Sequence, residues 1–241
     1  MAIDLSQRSR PQQCTAAIES KEHLTKNIYL VNFRMKNPQT LTFLPGQTIS
    51  LHAAEQANRS MSIASAPIDN THILMLHDVS PMGPGSLWTV NHNVGDVGTF
   101  MAPLGIFILD KNSHRKKVLV ATGTGIAPFR SMLLDYLPSR GTDDISLYWG
   151  LRYEEDIYWK EEFEDLTRKY PNFSFKLTLS QPGQEWTGLR GRVTEHVTQV
   201  AQDVRESEFY LCGNKEMVRD MDRMLMEQGV PKEQIYKELY F

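Results

Sequence analysis

The sequence predicts a two-domain protein, with an antiparallel β-barrel in residues 1–112 and an α/β domain built on a parallel sheet in residues 113–241. Up to about Leu109, the apolar residues come in short runs separated by turn residues, with no helical repeat between them. Beyond Leu109, apolar strands alternate with segments whose apolar residues follow the helical period. This change of period marks the boundary between two domains of different fold class.

The barrel is predicted from closely spaced strands in the first half of the chain. The clearest apolar runs are "IYLVNFRM" (28–35), "TISLHA" (48–53), "RSMSIAS" (59–65) and "THILMLHDV" (71–79). Turns are expected at Pro45-Gly46, Asp69-Asn70 and Gly95-Asp96. Strands that follow one another without intervening helices favour an antiparallel barrel.

The parallel sheet is predicted from a β-α repeat that follows a polar and basic stretch, "DKNSHRKK" (110–117), interpreted as a linker. The predicted strands are "VLVA" (118–121), "ISLYWG" (145–150), "FSFKLTLS" (173–180) and "EFYLCG" (208–213). Apolar residues at helical spacing follow each of them, among them the sets Val193, Val197, Val200, Val204 and Met217, Met221, Met224, Leu225. Strands alternating with helices indicate a parallel sheet with helices on both faces.

The composition is that of a soluble globular protein, with 41% hydrophobic and 23% charged residues. A net charge of −3 gives no reason to expect nucleic acid as a partner. The two cysteines, Cys14 and Cys212, exclude a disulfide framework, a four-cysteine zinc site and a built-in iron–sulfur cluster. Because neither a signal peptide nor a transmembrane segment is evident, we expect a cytoplasmic protein. We also expect no metal site.

The stretch "KVLVATGTGIAP" (117–128) is typical of a strand followed by a nucleotide-binding turn. Gly123 and Gly125 allow a tight turn, and we expect Pro128 at the first helical position, where its missing N–H is harmless. A helix N-terminus there would favour the negative charge of a pyrophosphate. A strand-to-helix junction that binds nothing explains the same residues equally well.

Two stretches of the barrel half have the chemistry of a phosphate site. "RSMS" (59–62) offers the guanidinium of Arg59 and the hydroxyls of Ser60 and Ser62. "MGPGSLW" (82–88) offers backbone N–H groups at Gly83, Gly85 and Ser86. Taken singly, the first is also consistent with an exposed strand and the second with an ordinary Pro-Gly loop.

Together these motifs, in this order, resemble the ferredoxin–NADP reductase family of flavoproteins over nearly the whole chain. The similar segments are "FLPGQ" (43–47), "RSMS" (59–62), "GPGS" (83–86), "APLGIF" (102–107), "GTGIAP" (123–128), "YWGLRYEEDIYW" (148–159) and "YLCGNKEMV" (210–218). The resemblance implies an FAD-binding barrel followed by an NAD(P)-binding domain. It also makes the turn at 123–128 an intact dinucleotide loop of a different type from G-x-G-x-x-G.

On the flavin side, the resemblance implies that Arg59 pairs with the FAD pyrophosphate and that Ser62 hydrogen-bonds near flavin N5. Ser60 and Met61 complete that motif, although Met61 stands where the family usually has an aromatic residue that stacks on the flavin. A thioether still packs on a ring face. The FAD diphosphate is expected at Gly83, Gly85 and Ser86, which favours FAD over FMN.

On the nicotinamide side, the resemblance implies a cofactor-binding set made of Gly123, Thr124, Gly125, Pro128, Gly150, Arg152, Cys212 and Gly213. Thr124 and Cys212 would flank the nicotinamide ring, whereas a buried cysteine at a strand end is the alternative for Cys212. Tyr240 or Phe241 would cover the flavin and Glu238 would relay a proton. A strand that packs its last aromatic residues into the core explains the C-terminus nearly as well.

The preference between NADH and NADPH stays open at this point. A 2′-phosphate calls for Arg or Lys. Ser180-Gln181 stands where NADPH enzymes of the family often have Ser-Arg, and Arg190 and Arg192 follow closely enough to substitute.

The function that the resemblance implies is electron transfer from NAD(P)H through FAD to a separate carrier such as ferredoxin or flavodoxin. Two alternatives remain: an NAD(P)H:flavin reductase that uses free flavin as a substrate, and an electron-transfer or nucleotide-binding subunit without turnover of its own. The expected catalytic residues are Ser62, Cys212, Glu238 and Tyr240.

Overall fold

Two six-stranded sheets organise the chain, one antiparallel and one parallel. The computed structural model describes residues 9–139, 143–198 and 204–240. These residues form two units: Met1–Asn112 with Ala127–Tyr136, and Ser113–Ile126 with Leu137–Phe241. No helix within the described residues is long and apolar enough to cross a membrane.

The first sheet is antiparallel and curls on itself. Its strands are β1 (Gln12–His23), β2 (Ile28–Asn37), β3 (Thr48–Ala54), β4 (Ala57–Ser62), β5 (His72–Asp78) and β6 (Val97–Leu104), in the spatial order β4-β3-β6-β1-β2-β5. An antiparallel bridge between Ile63, next to β4, and Met75 on β5 connects the two ends of this order. The antiparallel barrel expected from the sequence is thereby confirmed.

A helix that the sequence did not predict, α1 (Pro84–Asn91), follows β5. Trp88 of this helix is buried against Phe33, with ring centroids 5.9 Å apart. Gly98 lets both rings approach, because a Cβ there would lie 3.1 Å from each. The alternative of an ordinary Pro-Gly loop is therefore wrong: Pro84 and Gly85 begin a helix, and Trp88 of that helix joins the barrel core.

The second sheet is entirely parallel. Its strands are β7 (Lys116–Thr122), β8 (Ile145–Leu151), β9 (Phe173–Leu179), β10 (Leu189–Arg190), β11 (Ser207–Asn214) and β12 (Ile235–Tyr240), in the order β10-β9-β8-β7-β11-β12. Within the described residues, the α-helices of this unit are α3 (Lys160–Lys169), α4 (Val193–Thr198) and α5 (Lys215–Glu227), whereas α2 (Ile126–Ser139), which follows β7, belongs mostly to the first unit. The strand order reverses between β7 and β11, which is where α/β sheets open a crevice for ligands.

Helices lie on both faces of this sheet, as the sequence predicted. On one face, Val193 and Met221 from α4 and α5 share a core cluster with Tyr148 of β8. On the other face, the ring of Phe163 in α3 contacts the next residue of β8, Trp149, at 6.2 Å between centroids. Successive residues of a strand point to opposite faces, so β8 contributes to both cores.

Two details of the predicted α/β domain are wrong. Lys116 and Lys117 were assigned to a linker but begin β7, and Lys117 is fully buried. The Lys117 ammonium donates to the carbonyl of Ser113 at 2.8 Å and lies 3.7 Å from the Asp143 carboxylate. Val204 belongs to a short 3-10 helix rather than to α4, and Val200 lies outside the described residues.

We predict that Gly46→Ala destabilises the protein more than Gly95→Ala. Both glycines have φ near +95°, so both substitutions carry the same left-handed strain of about 1–2 kcal/mol. A Cβ at Gly46 would lie 2.0 Å from the Phe107 carbonyl oxygen, whereas nothing lies within 4 Å of a Cβ at Gly95. The clash should add roughly 1–3 kcal/mol, visible as a lower thermal midpoint. Equal midpoints for the two variants would contradict this packing.

Candidate functional site

The start of α1 is an open helix N-terminus in the first unit. Gly83 is the N-cap residue, and it has no side chain to cap the backbone N–H groups of the first turn. A Cβ at Gly83 would meet nothing within 4 Å. An uncapped and accessible helix N-terminus attracts anions through its N–H groups and its dipole.

Three side chains from β4 and β5 converge on the backbone of Gly85, in the first turn of α1. A Cβ at Gly85 would lie 3.0 Å from Cγ of Arg59, 3.3 Å from Cε1 of His77 and 3.3 Å from Cε of Met61. Glycine therefore lets the stem of Arg59 and the imidazole of His77 pack closely against the helix N-terminus. The positive charge, the open backbone and the imidazole together suit a phosphate group.

The "RSMS" motif on β4 is exposed at its first two residues and buried at its last two. Arg59 is exposed and donates one hydrogen bond to the carbonyl of Asn58 at 2.8 Å, and Ser60 is also exposed. Met61 is buried in the barrel core at 5% exposure and Ser62 is buried at 3%. Met61 therefore supports the Gly85 contact from the core side.

Two other motifs fix the end of β4 rather than offer ligand groups. The side chain of Gln47 accepts from the backbone N–H of Leu44 at 2.8 Å and donates to the carbonyl of Gly105 at 3.2 Å. The backbone carbonyl of Gln47 accepts from Ile63, directly after Ser62, at 3.0 Å. The segments 43–47 and 102–107 thus hold Ser62 in place.

The second candidate site lies at the carboxyl ends of β7 and β11, in the second unit. A Cβ at Gly125 would lie 2.3 Å from the carbonyl oxygen of Cys212, and a Cβ at Gly213 would lie 2.2 Å from Oγ1 of Thr122. The same hydroxyl accepts from the backbone N–H of Asn214 at 3.0 Å. Both loops therefore meet backbone to backbone at the strand-order reversal.

Pro128 is the third residue of α2, not the first as predicted. Ile126 and Ala127 are buried, and the helix begins with them after a 3-10 turn at Gly123–Gly125. Proline is still tolerated there, because the N–H groups of the first helical turn have no partner within the helix.

Two aromatic residues outside the predicted site hold the turn at Gly123–Gly125 in place. The indole N–H of Trp149 and the hydroxyl of Tyr158 both donate to the carbonyl of Gly123, at 3.0 and 3.1 Å. Their rings pack at 4.9 Å between centroids. They lie in the segment 148–159, whose similarity to the family pattern is the signal that marked them. Thr124 in the turn above them is half-buried.

Cys212 and Glu238 are direct partners in the register of β11 and β12. The Cys212 thiol lies 3.9 Å from Oε2 of Glu238, within hydrogen-bond reach for sulfur. Cys212 is fully buried and Glu238 is half-buried. Tyr240 pairs with Asn214 in the same register; its side chain and all of Phe241 lie outside the described residues.

The residues predicted to bind the adenosine part of the nucleotide lie at or after the ends of β8, β9 and β10. A Cβ at Gly150 would lie 3.1 Å from Cβ of Val193, so this glycine allows α4 to pack closely on β8. Arg152, Ser180 and Arg192 are exposed. Nη2 of Arg190 instead donates to the carbonyls of three nearby loop residues, Gly183, Gln184 and Trp186, at 2.6–3.1 Å.

Among the described residues, no cluster of three or more His, Cys, Asp or Glu is arranged to hold a metal ion.

Comparison with known proteins places the chain among reductases. The model of the oxidoreductase NAD-binding domain family matches residues 119–223. Ferredoxin–NADP reductase B of Sorangium cellulosum is 30% identical over 222 residues, which cover 87% of this chain and 90% of that protein. The toluate 1,2-dioxygenase electron transfer component of Pseudomonas putida is 26% identical over 93% of this chain and 67% of its own.

Other relatives are longer than this chain. It spans 61% of the propane 2-monooxygenase reductase component of Rhodococcus jostii, at 28% identity. Solved structures share the fold: the Amycolatopsis cytochrome P450 reductase GcoB has a TM-score of 0.88 at 22% identity, over 95% of this chain and 70% of that one. The ferredoxin NADP+ reductase of Neisseria gonorrhoeae, solved with bound FAD and NADP, has a TM-score of 0.82 at 21% identity, over 97% and 100%.

The extent and identity of the match to the Sorangium reductase decide the family, and the confirmed two-sheet fold agrees with it. The chain belongs to the ferredoxin–NADP reductase family.

Proposed function

We propose that this chain is an FAD-dependent oxidoreductase that takes electrons from NADH or NADPH and passes them to a one-electron carrier protein such as ferredoxin or flavodoxin. The observation that carries the proposal is the open N-terminus of α1, with Arg59 and His77 packed on the backbone of Gly85. FAD, when bound, accepts a hydride and releases electrons one at a time.

In this proposal, residues 1–112 hold FAD. Arg59 and the backbone N–H groups at Gly83, Gly85 and Ser86 bind the diphosphate, because they combine a guanidinium with an uncapped helix N-terminus. Ser60, Met61 and Ser62 border the flavin ring. The buried Ser62 hydroxyl is a neutral donor, which stabilises a reduced ring without burying a charge.

Residues 113–241 hold the nicotinamide nucleotide. Gly123, Thr124, Gly125 and Pro128 form the turn against which the nucleotide lies, and Gly213 lets β11 approach that turn. Cys212 orients the nicotinamide, and Glu238 holds the thiol proton at Oε2. Tyr240 or Phe241 covers the flavin, as the family resemblance implies.

At the adenosine end, Gly150, Arg152, Ser180 and Arg192 border the ribose and its substituent, for either nucleotide. Arg190 contributes by holding the loop 183–186 in shape, since its Nη2 is already bonded to three carbonyls. We also propose a cytoplasmic location.

The acceptor decides between this function and its two rivals. The similarity to longer electron transfer and reductase components supports a protein acceptor. The experiment compares NAD(P)H oxidation by the purified protein with ferredoxin, with flavodoxin and with free riboflavin. Faster turnover with a carrier protein supports the proposal. Turnover with riboflavin alone indicates a flavin reductase, and the absence of turnover indicates a subunit of a larger assembly.

We predict that Arg59→Ala loses FAD during purification. A charge-assisted hydrogen bond contributes about 1.5–3 kcal/mol, which corresponds to a roughly 10- to 100-fold weaker site. Arg34→Ala is the matched control, because Arg34 is an exposed arginine of the same barrel that forms an ion pair with Glu19 at 3.6 Å. Equal flavin content in both variants would remove Arg59 from the site.

We predict that alanine at the two glycines of the nucleotide turn affects different properties, mainly stability at Gly125 and mainly nucleotide binding at Gly123. Gly125→Ala should lower the thermal midpoint, because its Cβ would clash with the Cys212 carbonyl. Gly123→Ala carries left-handed strain of about 1–2 kcal/mol because φ is +52°, but its Cβ meets no neighbour, so the midpoint should fall less, while binding of NAD⁺ or NADP⁺ that lies against this backbone weakens. Titration of both variants with the oxidised nucleotides measures binding; a Gly123→Ala variant with unchanged affinity would place the nucleotide elsewhere.

We predict that Arg190→Ala lowers the thermal midpoint and leaves the ratio of activities with NADPH and NADH unchanged. The cause is the loss of the donor to the carbonyls of Gly183, Gln184 and Trp186. Arg192→Ala is the comparison, since this exposed side chain should leave the midpoint unchanged. A changed nucleotide ratio in Arg190→Ala would show that its guanidinium contacts the nucleotide.

A further inference from the structure

His77 lies beside the proposed diphosphate site, but the proposed function assigns it no hydrogen bond to the ligand. It lies on β5, and its Cε1 atom would be 3.3 Å from a Cβ on Gly85. Cε1 is bonded to both ring nitrogens, so the imidazole edge faces the first turn of α1. Arg59 approaches the same glycine from β4, with Cγ at 3.0 Å. The imidazole and the guanidinium stem therefore flank one stretch of backbone.

One ring nitrogen of His77, Nδ1, forms a hydrogen bond within the protein. Nδ1 lies 2.7 Å from Oγ1 of Thr89, which is four residues after Gly85 on the same face of α1. Thr89 is fully buried, and its hydroxyl has no other hydrogen-bond partner among residues 9–139, 143–198 and 204–240. Buried hydroxyls as a rule donate their hydrogen, which favours the tautomer in which Thr89 donates to Nδ1 and the ring proton resides on Nε2.

The other ring nitrogen is thus an N–H donor. Within the part of the chain that the structure describes, Nε2 has no hydrogen-bond partner. Burial lowers the pKa of His77 to about 4, and the neighbouring carboxylate of Asp78 opposes this only weakly. The ring is therefore neutral at physiological pH and adds no charge beside Arg59.

The helix itself is held in place from its other end. The Lys21 ammonium donates to the carbonyls of Thr89, Val90 and His92 at the C-terminus of α1, at 3.1, 3.3 and 2.5 Å. A cation at this end satisfies carbonyls that have no partner within the helix. The N-terminal turn beside His77 is consequently the end of α1 left open for a ligand.

We propose that His77 is a further ligand of the FAD diphosphate, donating a hydrogen bond from Nε2 while Thr89 holds Nδ1. This inference rests on the proposed flavin site. It completes a donor set made of the Arg59 guanidinium, the backbone N–H groups at the start of α1 and one neutral imidazole. The sequence alone does not identify His77, because nothing in it shows that β5 brings this residue to Gly85.

The test compares flavins with and without phosphate on flavin-free protein. FAD and riboflavin share the ring system, but riboflavin has no phosphate for His77 to bind. His77→Leu removes the donor and should weaken FAD binding about tenfold while leaving riboflavin affinity unchanged. His77→Gln keeps a neutral N–H donor and should retain wild-type affinity for both. Quenching of flavin fluorescence measures the six dissociation constants, for the wild type and both variants with each flavin.

The tautomer supplies a readout that packing alone would not change. In ¹⁵N-histidine NMR spectra of the flavin-free protein, Nε2 of His77 should be the protonated nitrogen. Thr89→Val removes the hydroxyl and should give a mixture of tautomers, with FAD binding weakened less than in His77→Leu. A proton on Nδ1 in the wild type would overturn the proposal.

The other outcomes are equally decisive. Equal weakening of FAD and riboflavin by His77→Leu would assign His77 a packing role, and unchanged FAD affinity would assign it none; both overturn the inference and leave the flavin site standing. A wild-type protein that binds neither flavin would overturn the proposed function and the role of His77 together.

Discussion

Both candidate sites depend on a glycine against which neighbouring groups pack closely, Gly85 in the first unit and Gly125 in the second. At Gly85, a Cβ would crowd the stem of Arg59 and the imidazole of His77, which would have to shift by a few tenths of an ångström. At Gly125, it would run into the carbonyl of Cys212 and separate the ends of β7 and β11. In each unit, one glycine thus brings polar groups to a backbone that a phosphate or a nucleotide can approach.

The motifs that identify the family divide into two physical classes. Some present chemistry, as Arg59 and the first turn of α1 do. Others hold the presenting segments in place: Gln47 bonds to Leu44, Gly105 and Ile63, and Trp149 and Tyr158 bond to the Gly123 carbonyl. Positioning groups of this kind are needed because a binding site must be preorganised before the ligand arrives.

The sequence predicts the elements with a clear period and misses those that depend on distant partners. The alternation of strands and helices in the second unit follows directly from the spacing of apolar residues. Helix α1 escapes prediction, because Pro84 and Gly85 signal a turn while Trp88 stabilises the helix by packing on Phe33. In the sequence Lys117 resembles a linker residue. In the structure it is buried, because the Ser113 carbonyl and the Asp143 carboxylate lie close to its ammonium group. Arg59 and Gly85 are recognisable as motif residues, whereas the contact of His77 with Gly85 exists only in three dimensions.

The central claim is that this chain holds a flavin which a nicotinamide nucleotide reduces. An anaerobic titration of the purified, flavin-containing protein with NADPH, and separately with NADH, tests it most directly. The account predicts that the visible absorbance of the oxidised flavin disappears at one nucleotide per bound flavin with at least one of the two. A protein without flavin absorbance, or a bound flavin that neither nucleotide reduces, would contradict it.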